Sequence, residues 1–195
     1  MATIRRLWST QYRLRFLAIT LGVGLIYLLP FLTVPGLAAI YMKIDGIDGD
    51  AVEVNHSKWI EVDSIQWGTS RAIATVGAGG GDRETSAPAF SDVTITKRMD
   101  RASAPLFFDA VAGKSGKTAT IHITQETEGQ PVYYELTLSD ILISSFSQSG
   151  PAGDRPSETI SLNFTKIGVK YTPINSGKTG TSISYSYDLA TGKAQ

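Results

Sequence analysis

Apolar and polar residues alternate with a period of two along most of the chain after position 39, the pattern of half-buried strands. Ile40, Met42 and Ile44 share one face, and Asp45-Gly46 and Asp48-Gly49 mark turns behind them. Trp59-Ile60-Glu61-Val62 and Ile65-Gln66-Trp67 form a second extended stretch whose phase slips near Ser64, which predicts a bulge. Val93 and Ile95 alternate with Asp92, Thr94 and Thr96; Ala119, Ile121 and Ile123 alternate with Thr120, His122 and Thr124. Tyr134, Leu136 and Leu138 precede Ser139-Asp140 and a more continuous apolar run over 141–146. Ile160, Leu162 and Phe164 lie on one face, Ile167, Val169 and Tyr171 take the other phase, and Ile183, Tyr185 and Tyr187 close the set. So many strands with two phase slips predict a closed or nearly closed barrel rather than a flat sheet.

One helix interrupts the strands. Ser103 is placed as its N-cap, Pro105 in its first turn and Gly113 at its end. Leu106 with Ala110, and Phe107 with Val111, are spaced to lay an apolar stripe across one barrel opening. Residues 69–88 form the one long stretch without strand pattern and contain Gly77-Ala78-Gly79-Gly80-Gly81; a loop of that length in a compact domain is functional or disordered.

The first 38 residues read differently. Arg5, Arg6, Arg13 and Arg15 precede an apolar run over 16–29 that stops at Pro30, and Pro35-Gly36-Leu37-Ala38-Ala39 follows. A positive start, an apolar centre and a small-x-small exit predict a secretory signal peptide, cut after Ala38 or, second, after Ala39. The alternative is an uncleaved anchor that crosses the membrane through residues 16–40. Residues 16–29 as a helix rise only about 21 Å, short of a hydrocarbon core of about 30 Å, so an anchor must continue through Pro30 and Pro35. In both cases the arginines hold the amino end inside and place the domain outside the cytoplasm. The expected organisation is a signal or anchor over 1–38 and a β domain over 39–195.

Charge narrows the function. Four of the 18 basic residues and none of the 18 acidic ones lie in the first 38 positions, so the domain carries a net charge of −4. An acidic domain without a basic stripe has no electrostatic reason to bind nucleic acid. With no cysteine there is no disulfide framework, no thiolate nucleophile and no thiolate metal site.

Candidate chemistry is sparse. Gly113-Lys114-Ser115-Gly116-Lys117-Thr118 looks like a phosphate loop, but Val111 stands where its first glycine is required, and the element order is reversed. It reads as a helix-to-strand turn. The only two histidines differ in setting: His122 shares a strand face with Thr120 and Thr124 and is expected to face solvent or a lumen, whereas His56 follows Asn55 in a turn and is expected at the surface. No serine sits in a G-x-S-x-G elbow. Asp45, Asp48 and Asp50 miss the spacing of a calcium loop. No catalytic, metal or cofactor residue is assigned, and no cofactor is expected.

The ordered series of segments resembles the haemolysin-coregulated protein (Hcp) family, the tube subunits of type VI secretion. The resemblance runs through Tyr41-Met42-Lys43-Ile44-Asp45-Gly46-Ile47-Asp48-Gly49, Trp59-Ile60-Glu61-Val62 with Gln66-Trp67-Gly68, and the glycine-rich loop. It continues through Thr96-Lys97-Arg98-Met99-Asp100 leading into the helix, and residues 136–146. Ser161-Leu162-Asn163-Phe164 and Val169-Lys170-Tyr171 complete it. It implies an Hcp-like, mainly β barrel with one short α-helix, here preceded by an apolar helical segment. It also implies a homo-hexameric ring that stacks into a tube, with small effector proteins in the lumen and a tip or sheath protein of the apparatus as further partners. Gly77, Gly79, Gly80 and Gly81, with Asp82 and Arg83, are expected to form an intersubunit or ring-stacking loop. The alternative is an extracytoplasmic binding module that uses the same barrel as a monomer.

Overall fold

A computed structural model of the chain describes residues 38–74, 84–125, 127, 129–175 and 178–195. The leader up to residue 37 lies outside the described residues, and so do Gly77, Gly79, Gly80, Gly81, Asp82 and Arg83. Ten strands form one continuous sheet: β1 (Ala38–Ile44), β2 (Ile60–Val62), β3 (Ser64–Gln66), β4 (Val93–Arg98), β5 (Lys117–Gln125), β6 (Val132–Ser149), β7 (Ser157–Asn163), β8 (Lys166–Tyr171), β9 (Ile183–Asp188) and β10 (Lys193–Ala194). Three two-residue ladders lie outside that sheet. Among the described residues there is one α-helix, α1 (Ser103–Ala112), which connects β4 to β5.

The pairing closes a barrel. β1 pairs with β2, and the chain passes across Asp63 into β3, which pairs with β4. β4 pairs with β7, β7 with the second half of β6, the first half of β6 with β5, and β5 with β1 again. β8, β9 and β10 extend the sheet sideways from the first half of β6 as a flange.

The expected barrel is therefore present, and the irregular places in the alternation have structural causes; the change of phase after Phe164 is the turn from β7 to β8. Near Ser64 the slip is not the expected bulge but the passage from β2 to β3, from one part of the sheet to the other. In β6 the segments before and after Ser139-Asp140 are one 18-residue strand, not two. Register shifts between Leu138 and Ile141, and between Ile143 and Ser145, move the inward positions from Leu136 and Leu138 to Ile141 and Ile143 and then to Phe146. Each bulge bends the strand while keeping an apolar residue on the core side. Asp140 takes a φ of 55° at the first of them, in the left-handed region. Asp140→Val is therefore expected to cost about 1–2 kcal/mol in urea unfolding, because a β-branched residue strongly resists that backbone, whereas Asp140→Gly should not destabilise.

Met42, Ile60, Val93, Ile95, Ala119, Ile121, Leu136, Leu138, Ile160 and Leu162 are all fully or nearly fully shielded and fill the interior. The helix departs from expectation. Ala102, not Ser103, is the N-cap, and no side chain caps it. Ser103 Oγ instead accepts from the Asp100 N–H at 2.9 Å and donates to Glu158 Oε2 at 2.8 Å. Only Leu106 of the predicted stripe is buried, while Phe107 and Val111 are exposed. One leucine closes on the core, and the rest of the helix's apolar surface points outward.

Candidate functional site

The outer wall of the barrel carries a transverse row of polar side chains. In register across the sheet stand Glu61 on β2, Tyr41 on β1, His122 on β5, Glu135 on β6, Lys170 on β8 and Ser184 on β9. Alternation puts all six on the face opposite the core. Lys170 Nζ lies 3.2 Å from Glu135 Oε2, and His122 Nε2 faces the same oxygen at 3.5 Å.

The segment between β1 and β2 folds over this row. Gly46 turns the chain with a φ of 76°, and Gly49 packs so closely on Trp59 that a Cβ there would lie 2.3 Å from the Trp59 carbonyl oxygen. A short 3₁₀ turn, Val54–His56, follows; Glu53 accepts the Asn55 N–H at 2.9 Å and contacts His56 Nδ1. His56 is 1% exposed, not at the surface as its turn setting predicted. Tyr41 stacks on its ring at a centroid distance of 4.5 Å, and Trp59 meets it edge-on at 4.8 Å. Its Nε2 lies 2.9 Å from His122 Nδ1, so the two histidines, 66 positions apart, meet directly. Polar outer-wall residues such as His122 are thus partly covered by the chain itself.

The electrostatics follow from this enclosure. Burial holds His122 below the ordinary histidine value; Glu135 pulls the other way, while His56 and Lys170 add to the depression. Burial disfavours charge on Glu53, but the Asn55 N–H and the His56 ring outweigh it and hold the carboxyl below its usual range.

A second buried polar group sits at the end of β4 beside the helix start. Lys97 and Glu158 are opposite one another on β4 and β7, both fully buried, with Nζ and Oε2 2.8 Å apart. Asp100 Oδ1 joins at 2.7 Å, and Gln148 Nε2 donates to Glu158 at 3.0 Å. The turn at 113–118 holds no free phosphate cradle. Gly116 has a φ of 106°, Lys117 is paired with the Asp109 carboxylate, and the Thr118 N–H donates to Asp45 at 3.0 Å. Among the described residues no cluster of three or more histidine, cysteine or acidic side chains is placed to hold a metal ion, and no helix is long and apolar enough to cross a membrane.

Among the described residues, apolar surface is left uncovered on α1 and on the flange. On α1, Phe107 leans edge-on against Phe146 at 5.8 Å, while Phe108 is 63% exposed and Val111 is open beside it. On the flange, one face carries Ile167 and Tyr187, then Val169 and Tyr185, then Tyr171 and Ile183, paired in that order along β8 and β9. It begins in the core, where Tyr187 packs on Phe90, and ends in solvent, with Tyr185 73% exposed. The core-facing side of the sheet thus runs out past the barrel, and no described residue covers its far end.

Ala38 and Ala39, the two candidate cleavage positions, begin β1 and pair with Gln125 and Thr124; Thr124 Oγ1 donates to the Ala39 carbonyl at 3.3 Å. Sequence reasoning missed the pairing of the two histidines and the burial of Lys97. A signal for the second was present: Lys97 continues the face of Val93 and Ile95, and Glu158 precedes Ile160 and Leu162 on theirs.

The described residues form a closed barrel with a lateral flange and one helix, and this fold is shared with solved proteins of type VI secretion. The chain belongs to the Hcp family: residues 41–171 match the family described as "Type VI secretion system effector, Hcp". It is 29% identical over 154 residues to Protein hcp1 of Pseudomonas aeruginosa, covering 77% of this chain and 94% of that one. Among solved structures, one described as a type six secretion system protein shares 30% identity at a TM-score of 0.77, covering 82% of this chain and all of the other. Hcp1 from Salmonella typhimurium shares 27% identity at a TM-score of 0.66, over 81% and 99% of the two chains.

Proposed function

We propose that this chain is the subunit of a homo-hexameric ring that stacks into a tube of a type VI secretion or related export system. It acts by assembly and by passive binding of small effector proteins in the lumen, and it meets a tip or sheath protein at the tube ends. The observation that carries this reading is the pair of unlike apolar faces, one on α1 and one on the flange. A closed ring joins two different patches on each subunit, and exposed apolar surface rimmed by polar residues marks such an interface. The glycine-rich segment with Asp82 and Arg83 is assigned, on its sequence, to contacts between rings. The arginine-tipped leader supports export, by cleavage after Ala38 or by anchoring. Cleavage there leaves Ala39, with its bond to Thr124, at the head of β1.

The test is native mass spectrometry of the full-length gene product recovered from cells, with Phe108→Lys and Tyr185→Lys beside it. The expected result is a sixfold particle for the unaltered chain. Each substitution should weaken association by about thirtyfold or more with an unchanged unfolding midpoint, the effect of charging an interface anchor. A monomeric unaltered chain at micromolar concentration sinks the ring reading.

A further inference from the structure

The contact between the two histidines has a proton requirement that can be counted. Four ring nitrogens form a line between two carboxylates: Glu53 touches His56 Nδ1, His56 Nε2 lies 2.9 Å from His122 Nδ1, and His122 Nε2 faces Glu135 at 3.5 Å. An ionised carboxylate only accepts, so both outer nitrogens must carry hydrogen; the central contact takes one hydrogen and no more. Three ring protons satisfy every contact, which gives the pair one positive charge between two negative ones. A fourth proton sets N–H against N–H at the centre. With only two, either a bare nitrogen faces a carboxylate or the two central nitrogens face each other without a proton.

We propose that His56 and His122 share a single positive charge and act as a pH-bounded clamp that holds the 45–59 segment against the barrel wall. The placement suits a clamp. His56 lies in the overlying turn and His122 on the wall; among the described residues the Val54–His56 turn is otherwise linked by Asn55 Nδ2 to the Gly129 carbonyl at 3.4 Å, while Asp45 bonds to Thr118 at the start of the segment and Asp50 meets Arg101 in its middle. The clamped segment presents Val52 and Val54, both almost fully exposed, so its release changes an apolar part of the surface. Among the described residues, the groups that face the pair are Glu53 from the turn, Glu135 from β6 with Lys170 of β8 behind it, and Tyr41 of β1 stacked on His56. Glu61 of β2 stands across from Tyr41.

The direction in acid follows. Burial lowers His122 in the folded chain, so just below the ordinary histidine value near 6.5 the unfolded chain binds more protons than the folded one. On this acid side, the stability of the clamped state is lost as pH falls through that range. The carboxyl of Glu53, held low, keeps its charge until the medium is more acidic than about pH 4.5 and does not enter this window.

Hydrogen exchange of the full-length chain, followed by mass spectrometry and corrected for intrinsic rates, tests the clamp between about pH 5 and pH 9. The relevant amides are those of Gly49, Ala51, Lys58 and Trp59, each bonded within the segment. Protection should be bell-shaped, falling about tenfold for each pH unit of His122 depression on the acid side. His122→Gln, which cannot titrate, should flatten the profile. Full protection in mild acid overturns the proposal, and so does an acid loss that persists unchanged in His122→Gln. Because the readout is local to one subunit, it stands apart from whether rings form.

Discussion

Lys97→Met should lower the stability of the barrel by about 3–5 kcal/mol, the largest effect expected of any single change here. Lys97 sits at the inward end of β4 and Nζ has four partners: Glu158 at 2.8 Å, Asp100 at 2.7 Å, the Arg98 carbonyl at 2.8 Å and Ser103 Oγ at 3.2 Å. Removing the ammonium strands Glu158, whose side chain is fully buried. Its hydrogen bonds from Ser103 and Gln148 remain but do not neutralise it. Breaking a buried pair costs far more than the pair contributes, because an uncompensated charge remains in a medium that solvates it poorly. The double variant Lys97→Met, Glu158→Leu is therefore expected to recover most of the loss. Urea midpoints for the single and double variants make the measurement, and equal stability for the Lys97→Met chain and the unaltered chain would count against this account. The same group ties Ser103 and Asp100 to β7, so the single variant should also loosen the start of α1 and the aromatic face that it presents.

Gly49→Ala should cost about 1–3 kcal/mol, the range of overpacking, and should do so through backbone atoms that cannot step aside. A Cβ there would lie 2.3 Å from the Trp59 carbonyl oxygen and 2.7 Å from the Ile60 Cα. The Gly49 N–H also donates to the Lys58 carbonyl at 2.8 Å, so separating the two segments breaks that bond as well. Gly68→Ala is the matched comparison, because nothing lies within 4 Å of a Cβ at that position and its φ is ordinary. It should be close to neutral. Thermal unfolding of both chains separates close approach from glycine's chain entropy, which the two substitutions share. If the Gly49→Ala chain melts with the Gly68→Ala chain, close packing at Trp59 is not what the site demands. Displacing this contact should also draw His56 away from His122, so hydrogen exchange over the 45–59 segment should rise in the same variant.

The sequence carried the strand faces well because facing is a local property. Val93 with Ile95, and Ile160 with Leu162, alternate in the chain as they alternate in the sheet, and the phase slip at Ser64 coincides with the passage between β2 and β3. The 139–140 interruption was legible as an irregularity but not as a continuous strand. A bulge and a turn both begin with a polar pair, and only the pairing on either side distinguishes them. The sequence places the helix to within one residue at its start but not its buried side: i,i+4 spacing shows that Phe107 and Val111 share a face but not whether anything covers it. A polar turn is normally exposed, which is why the sequence alone puts His56 at the surface. The rings that bury it, Tyr41 and Trp59, flank it in the chain, but the contact that decides its role comes from His122.

The sequence by itself determined the main strand segments and the helix in their order, the inward residues of the long strands, the family to which the chain belongs, and the absence of thiol chemistry. These depend on alternation, turn residues and composition, which neighbouring positions encode. Tertiary structure alone decided which polar side chains meet: Lys97 with Glu158 across β4 and β7, His56 with His122 across a loop and the barrel wall. It also decided that no described residue covers the far end of the flange's apolar face. Closure of the barrel brings residues 61 and 66 positions apart to hydrogen-bonding distance, and no local periodicity records which distant strand will lie alongside.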